Sequence, residues 1–354
     1  MKPKRILITG GAGFLGSHFV EYMQRIGGYE IVIFDKFEHN KPRNFNNKVV
    51  YFKGNILSRE DVTRVFKVHG PFFTVYHLAS AMPNKEVPDN LLWQTNVEGT
   101  SNMISEAVIS KTKSFIFTSS NVAYGIPKTL PVTEETLLTP LEMYGKSKAQ
   151  AEKELVKFKD NINIQIIRCP VITGVGRLGL QAILFEFIDE NRRVYVLGNG
   201  SNRYQFVDVQ DVSMALEKAS HVEGFDIYNI GANEVLTLRE IYQKVINFAK
   251  STSKIVSIPM VPALLILSIL DKLNISPLGV YQYNMMGRSI YADTEKIRTK
   301  LGWKPKRTNA DTFIDNYKWY RKNKGNFKEI GSGEFSSNRS LPKMGALNLL
   351  KMIS

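Results

Sequence analysis

Cysteine is almost absent from this sequence. Its 354 residues hold one, Cys169, so no intramolecular disulfide can form and a disulfide-built secreted fold is excluded. A reducing compartment, and with it a cytoplasmic location, is the expectation. Long apolar runs are missing too. The best candidate, 255–270, has no charge but is broken by Pro259 and Pro262, and it falls short of the roughly 20 residues a spanning helix needs. No integral membrane segment is expected. Histidine is scarce, and His18, His39, His69, His77 and His221 show no metal-ligand spacing, so no metal is expected. Acidic residues are fewer than basic ones, 33 against 47, for a net charge of +14. That excess is spread along the chain, whereas a nucleic-acid footprint is clustered. No nucleic-acid partner is expected, and a bias towards anionic small molecules is the milder reading.

What the chain does have is alternation. Apolar runs at 5–9, 30–34, 49–52, 74–77, 114–118 and 164–167 read as strands. The opening MKPKRILITGG therefore reads as a strand and not as a signal peptide. Between the runs lie amphipathic stretches. In 14–26, Leu15, Phe19, Val20, Met23 and Ile26 mark one helix face, and in 91–109 Leu92, Val97, Ile104 and Val108 do so more loosely. Strands separated by helices imply a parallel sheet. The expected fold is α/β, a Rossmann-type doubly wound parallel sheet over 1–170, with a smaller α+β substrate domain over 171–324. The first domain is expected to recruit parts of 203–231. Residues 325–354 read as a flexible linker and tail. The apolar stretch PMVPALLILSIL (259–270) is expected to be a buried helix of the second domain, with a substrate channel or a membrane contact as the other reading.

The chemistry starts at RILITGGAGFLGSHFVEYM (5–23). Gly10, Gly13 and Gly16 sit between a strand and a helix, where small residues let backbone N–H groups approach a pyrophosphate. Asp35 follows at the end of the next strand, suited to both hydroxyls of an adenosine ribose, which favours NAD over NADP. Lys36, next to it, could tolerate the extra phosphate. Tyr144 and Lys148 fall four apart on one helix face, so that a cation can favour the phenolate of a proton-accepting tyrosine. Tyr124/Lys128 and Tyr320/Lys324 share the spacing, but the first contains Gly125 and Pro127 and the second ends the last expected helix. The strand 115–118 ends in Thr118, Ser119 and Ser120, at the carboxyl edge where ligands bind in such sheets. Ser120 is placed to relay a proton to Tyr144.

With TGGAGFLG (9–16), Asp35, Gly54-Asn55-Ile56, HLAS (77–80), NVEGT (96–100), TSSNVAYG (118–125), YGKSK (144–148), RYQFVDVQDV (203–212), YNIG (228–231) and LGWKP (301–305), the chain resembles the extended short-chain dehydrogenase/reductase family, its nucleotide-sugar epimerase and dehydratase group. The resemblance covers residues 4 to about 320. It implies a catalytic set of Ser120, Tyr144 and Lys148. It implies NAD bound by Gly10, Gly13, Phe14, Leu15, Gly16, Asp35 and Lys36, with Asn55 and Ile56 at the adenine. Leu78, Ala79 and Ser80 would pass beneath its phosphates and ribose, and Asn96, Pro170, Tyr144 and Lys148 would lie by the nicotinamide half. It implies a nucleotide-sugar substrate held by Ser120, Val171 and Arg203, and a homodimer through helices around 91–109 and 144–157.

The departures narrow the reaction. Dehydratases and decarboxylases of the group carry carboxylates just after the catalytic Ser or Thr, where this chain has Asn121 and Val122. Epimerases carry an Asn where this chain has Val171, a stretch closer to hydroxysteroid and dihydroflavonol dehydrogenase relatives. A second substrate arginine before Ala292-Asp293 is not clear. Asp208 and Asp211 read as helix caps or as partners of Arg203. The first expectation is an NAD-dependent 4-epimerase of a nucleotide-diphosphate sugar. The alternatives are an NAD(P)-dependent dehydrogenase or reductase of a more apolar hydroxy compound, and a non-catalytic dinucleotide sensor or scaffold.

Overall fold

In a computed structural model of the chain, the described residues are 3–37, 49–83, 87–179, 181–265, 285 and 287–324. The tail 325–354 and the second half of the 259–270 stretch lie outside them. Seven strands form one sheet, every neighbouring pair parallel: β1 (Lys4–Thr9), β2 (Tyr29–Asp35), β3 (Val49–Lys53), β4 (Thr74–His77), β5 (Ser114–Ser120), β6 (Asn163–Cys169) and β10 (Phe225–Asn229). Their order is β10-β6-β5-β4-β1-β2-β3. The order reverses between β1 and β4, and a crevice opens at the carboxyl ends of the strands there. The expected strands are therefore present, each within two residues of its sequence limits.

The sheet is buried on both faces, and alternate side chains choose between them. Ile6, Ile8, Ile31 and Ile33 face helices α1 (Phe14–Ile26) and α7 (Val209–Ala219), packing with Phe19, Val20, Met23, Val212 and Leu216. Leu7, Val32 and Phe34 face the other way, onto α2 (Arg59–His69), α4 (Gly99–Ile109) and α5 (Met143–Val156). Each fully buried apolar side chain contributes about 1.5–3 kcal/mol. Trp303 of the LGWKP segment is wholly buried on the α7 side, and its indole N–H donates to the Asp211 carbonyl at 2.9 Å. The chain thus returns to the first face after leaving it.

Beyond β6 two small parallel sheets form, β7 (Val171–Thr173) with β9 (Phe206–Asp208), and β8 (Val194–Leu197) with β11 (Ile255–Ile258). A separate core joins α6 (Gln181–Asp189), α8 (Leu238–Ala249) and the helix Asn309–Asn323 through Phe185, Ile188, Ile241, Val245, Phe313 and Tyr317. Thr237 caps α8 and Thr308 caps the last helix, each in a capping box.

Two expectations change. Residues 91–109 are not one regular helix. A short helix α3 (Asp89–Trp93) runs through a π-helical turn, Gln94–Glu98, into α4. The extra residue in that turn rotates the face, which is why the apolar periodicity is loose. The start of the 259–270 stretch is not buried: residues 260–265 are helical, and Val261 and Leu265 are 78% and 63% exposed. Pro262 near the helix start is compatible with that geometry, but these side chains find no core within the described residues. No helix among those residues is long and apolar enough to cross a membrane.

Candidate active site

The turn after β1 is fixed by the absence of side chains. Gly10 has φ +69°, and a Cβ there would stand 2.8 Å from the Ala79 backbone. A Cβ on Gly16 would stand 2.1 Å from the Gly10 carbonyl oxygen. This brings β1, β4 and α1 together at the crevice, with Leu78 N–H donating to Thr9 O at 3.2 Å and Ala79 N–H to Thr9 Oγ1 at 3.1 Å. Gly13 caps α1 without a side-chain hydrogen bond, and a Cβ on it would meet only Gly10 O, at 3.2 Å. The first N–H groups of α1 therefore face a space that any larger residue would fill, the arrangement that receives a phosphate. Phe14 is buried and Leu15 packs on the core.

Asp35 stands at the end of β2 with its carboxylate held in place. Ala12 N–H donates to one oxygen at 3.0 Å and Phe37 N–H to the other at 3.1 Å. Each oxygen keeps a lone pair for a ribose hydroxyl. Lys36 follows, half-buried. Asn55 accepts from Leu57 N–H at 3.1 Å, and Ile56 is buried against Gly99. These residues, with Leu78, Ala79 and Ser80, follow one another along the carboxyl edge of β1, β2, β3 and β4. The residues present fit NAD.

Asn96 lies on the π-helical turn. Its Oδ1 accepts from Ser80 Oγ at 3.0 Å and Ala81 N–H at 2.8 Å. Its Nδ2 donates to Ala81 O at 3.1 Å and Ser147 Oγ at 3.0 Å. All four of its bonding positions are used within the protein, tying β4's end to α5. Ser147 in turn donates to Tyr144 O at 2.8 Å.

Tyr144 begins α5, where Glu142 accepts from the Tyr144 and Gly145 N–H groups at 2.9 and 3.0 Å. Its hydroxyl lies among the Ser80 and Ser120 hydroxyls. Burial pushes it up to about 12, against the field of Arg177 and these neighbouring hydroxyls. Lys148 is buried, donates from Nζ to Thr118 O at 3.0 Å, and lies 5.9 Å from the centre of the Tyr144 ring. Burial pushes it down to about 8, opposed by Cys169 and Glu152. Ser120, at the end of β5, accepts from Val122 N–H at 3.3 Å. Ser120, Tyr144 and Lys148 are thus brought together as the spacing suggests, with Pro170 buried at the end of β6 beside them.

Two features were not visible in the sequence. One is a buried network behind the site. Glu152, one turn beyond Lys148, accepts from Ser119 Oγ and pairs with Arg168, whose Nη2 lies 2.6 Å from Oε2. Arg168 also donates to the Tyr124 hydroxyl at 2.8 Å, and that hydroxyl donates to Asn229 Oδ1 at 2.8 Å. The network joins β5, α5, β6 and β10. The other is Arg177, whose charge acts on Tyr144 and whose guanidinium lies 5.4 Å over the Phe14 ring.

Of the expected substrate residues, Val171 is exposed at the start of β7. Arg203 lies three residues before Phe206, which pairs with Val171 across β7 and β9. It is exposed, its N–H donates to Ser289 Oγ at 3.0 Å, and its charge is felt by Glu240 of α8. The contacts described for it do not include Ser120, Tyr144 or Lys148. Asp208 caps α7 by accepting from Gln210 N–H at 2.8 Å, and Asp211 accepts from Lys306 and Arg307 N–H at 2.8 and 3.1 Å. Asp208 is a helix cap and Asp211 an anchor for the 301–307 segment.

Comparison with known proteins accounts for this constellation. The sequence model of the NAD dependent epimerase/dehydratase family matches residues 6–231. The chain belongs to this family. NAD is accordingly its cofactor. The protein y4nG of Sinorhizobium fredii, described as uncharacterized, is 36% identical over 350 residues, covering 98% of this chain and 85% of its own. A UDP-glucose 4-epimerase of Lactobacillus helveticus is 26% identical over 350 residues, covering 90% of this chain and 97% of its own. Among solved structures, UDP-glucose 4-epimerase of Thermotoga maritima with UDP-glucose is similar at a TM-score of 0.74 and 25% identity, covering 90% of this chain and 99% of its own. The dTDP-glucose 4,6-dehydratase of Bacillus anthracis with NAD is similar at the same TM-score and identity, covering 92% and 99%.

Proposed function

We propose that this family member is a 4-epimerase of a nucleotide-diphosphate sugar that retains and recycles its NAD. The observation that carries the reading is the Tyr144 hydroxyl, buried at the crevice between Ser80 and Ser120, with Asn121 and Val122 following Ser120 where a sugar-nucleotide dehydratase has carboxylates. NAD, when bound, supplies the acceptor that takes hydride from a hydroxyl-bearing carbon and returns it. The chain's residues do the rest.

Gly10, Gly13 and Gly16 with the first turn of α1 hold the pyrophosphate, and Asp35 holds the adenosine ribose. Ser120 hydrogen-bonds the reacting sugar oxygen and orients it at Tyr144. Tyr144 Oη takes the hydroxyl proton and later gives it back. A phenol held near 12 is a poor base at neutral pH, so the cations of the bound state must bring it down. Lys148, fixed on Thr118 O, supplies one of them. Neither Asn121 nor Val122 titrates, so no group adjacent to Ser120 can carry the second proton that elimination of water requires. Arg203 meets the substrate diphosphate with a guanidinium fork.

A second reading has its own support. Exposed Val171, and Val261 and Leu265 beyond it in the chain, present apolar surface, which suits a dehydrogenase of a less polar alcohol. The two differ in redox balance. Incubated with UDP-hexoses, the NAD-loaded protein is expected to interconvert the 4-epimers without net NADH. Tyr144→Phe is expected to reduce that rate by at least about 100-fold, the lower end of the contribution of a positioned proton-transfer group. Stoichiometric NADH release with no epimer formed contradicts the proposal.

A further inference from the structure

Helix α5 sets two opposite charges against β5, one turn apart. Lys148 and Glu152 are each 3% exposed. Four residues apart on a helix, they share one face and lie within reach of each other. They do not pair. Lys148 forms no ion pair among the described residues; its Nζ donates to Thr118 O at 3.0 Å and sits 4.8 Å from the centre of the Phe117 ring. Glu152 turns to Ser119 and to the neighbouring strand β6. Its Oε1 accepts from Ser119 Oγ and, at 3.0 Å, from Arg168 Nε, and its Oε2 accepts from Arg168 Nη2 at 2.6 Å. Arg168 stands opposite Ser119 in the β5–β6 register. Its Nη1 donates to the Tyr124 hydroxyl at 2.8 Å and to Glu134 O at 3.0 Å. The guanidinium is thus fixed from both sides, and both oxygens of Glu152 are occupied.

We propose that Arg168 is a positioning residue for Lys148: by occupying both oxygens of Glu152, it keeps that carboxylate off the ammonium and leaves Lys148 on Thr118 O, beside Tyr144. The inference rests on the proposed function, in which Lys148 favours the Tyr144 phenolate. An ammonium paired to a carboxylate presents little net charge to a phenol. Glu152 released from Arg168 would therefore cancel the cation that the tyrosine needs. A buried carboxylate is costly unless paired, and Lys148 is the cation one turn away. Arginine suits the task because its planar fork takes both oxygens at once and keeps its charge on burial. The other titratable groups acting on or facing Lys148 are Tyr144, His77 and Cys169. Burial pushes His77 down to about 3 and Cys169 up to about 12, so both stay neutral and neither competes with Glu152 for the ammonium. Ser119, which shares Glu152, lies between Thr118 and Ser120, so the same pair also fixes the strand end that carries Lys148's acceptor.

The test is the ionisation of Lys148, followed by nuclear magnetic resonance of lysine labelled at its ε-carbon in the NAD-loaded protein, with the signal assigned by its loss in Lys148→Met. Arg168→Met is expected to raise the Lys148 titration by about one pH unit or more, as Glu152 turns to the ammonium. It is expected to slow epimerisation by about tenfold, the rate equivalent of one such unit. Arg168→Lys, which keeps a charge but not the fork, is expected to give a smaller rise of the same sign, and it stands in should the methionine variant not fold. Arg168→Met/Glu152→Gln, with the carboxylate gone as well, is expected to abolish the rise. A brace that served stability alone would leave the titration where it is. A Lys148 titration unmoved in the folded single variants, or a rise that persists in the double variant, overturns the inference. The titration needs no substrate. A raised Lys148 with epimerisation unchanged supports the positioning and removes Lys148 from the proton-transfer reading; a wild-type protein that does not epimerise fails that reading and leaves the titration to decide the inference.

Discussion

At the scale of single residues, burial sets the chemistry, and His77 shows it away from the reacting atoms. The ring is fully buried, between Thr9 Oγ1 at 2.8 Å from Nδ1 and Thr100 Oγ1 at 3.0 Å from Nε2. Thr100 donates its own proton to Asn96 O at 2.7 Å, so it accepts from His77 Nε2–H, and Nδ1 accepts from Thr9. This neutral tautomer has no position for a second proton, and burial with Lys148 nearby pushes the group down to about 3. Between pH 6.5 and 3 the unfolded chain binds a proton that the folded one does not, so stability falls as pH drops through that window. His77→Gln is expected to lose about 2 kcal/mol less stability than wild type between pH 7 and pH 5, read by urea unfolding at the two values. Equal losses in both proteins would refute the assignment. The catalytic candidates obey the same rule with opposite signs: burial raises Tyr144 to about 12 and lowers Lys148 to about 8, so the phenol is held neutral until a ligand or a neighbour favours its charge, while the ammonium keeps most of its charge at neutral pH.

At the scale of elements, what could be read in advance is what repeats along the chain. The strands, the glycine turn on α1 and the Tyr144–Lys148 pair on α5 are periodic or closely spaced, and each is where the sequence puts it. The π-helical turn at Gln94–Glu98 is not periodic, so it showed only as a weakened pattern, although it is what aims Asn96 at Ser80 and Ser147. Arg177 was missed because the ring it lies over, Phe14, is on α1, far away in sequence, and no local pattern joins them. The same holds for the Glu152–Arg168 pair, which ties α5 to β6. Both side chains are 4% exposed, so removing one charge strands the other. Glu152→Gln is expected to cost about 3–5 kcal/mol in urea unfolding; a loss below about 1 kcal/mol would mean the pair adds no more than an exposed one. The exposed start of the 259–270 stretch went the other way. An apolar run is usually core, and hydropathy alone carries no information about which surface is available to receive it.

At the scale of the whole molecule, the crevice and the second core are built from one another's chain. β10 completes the large sheet after the chain has passed through β7, β8 and β9 of the smaller ones, and Trp303 closes the α7 face from near the end of the described chain. Tyr124 links the reacting edge of β5 to Asn229 of β10. Distant stretches of the large sheet are therefore tied by a buried hydrogen bond. Retention of NAD through the reaction is the central claim of the proposed function. It is tested most directly by mass spectrometry of the small molecules released when the purified protein is denatured. The account predicts about one NAD per chain, accompanied or not by a nucleotide-diphosphate sugar. A protein that emerges empty and binds NADP in preference to NAD would contradict both the role given to Asp35 and the recycling on which the epimerase reading depends.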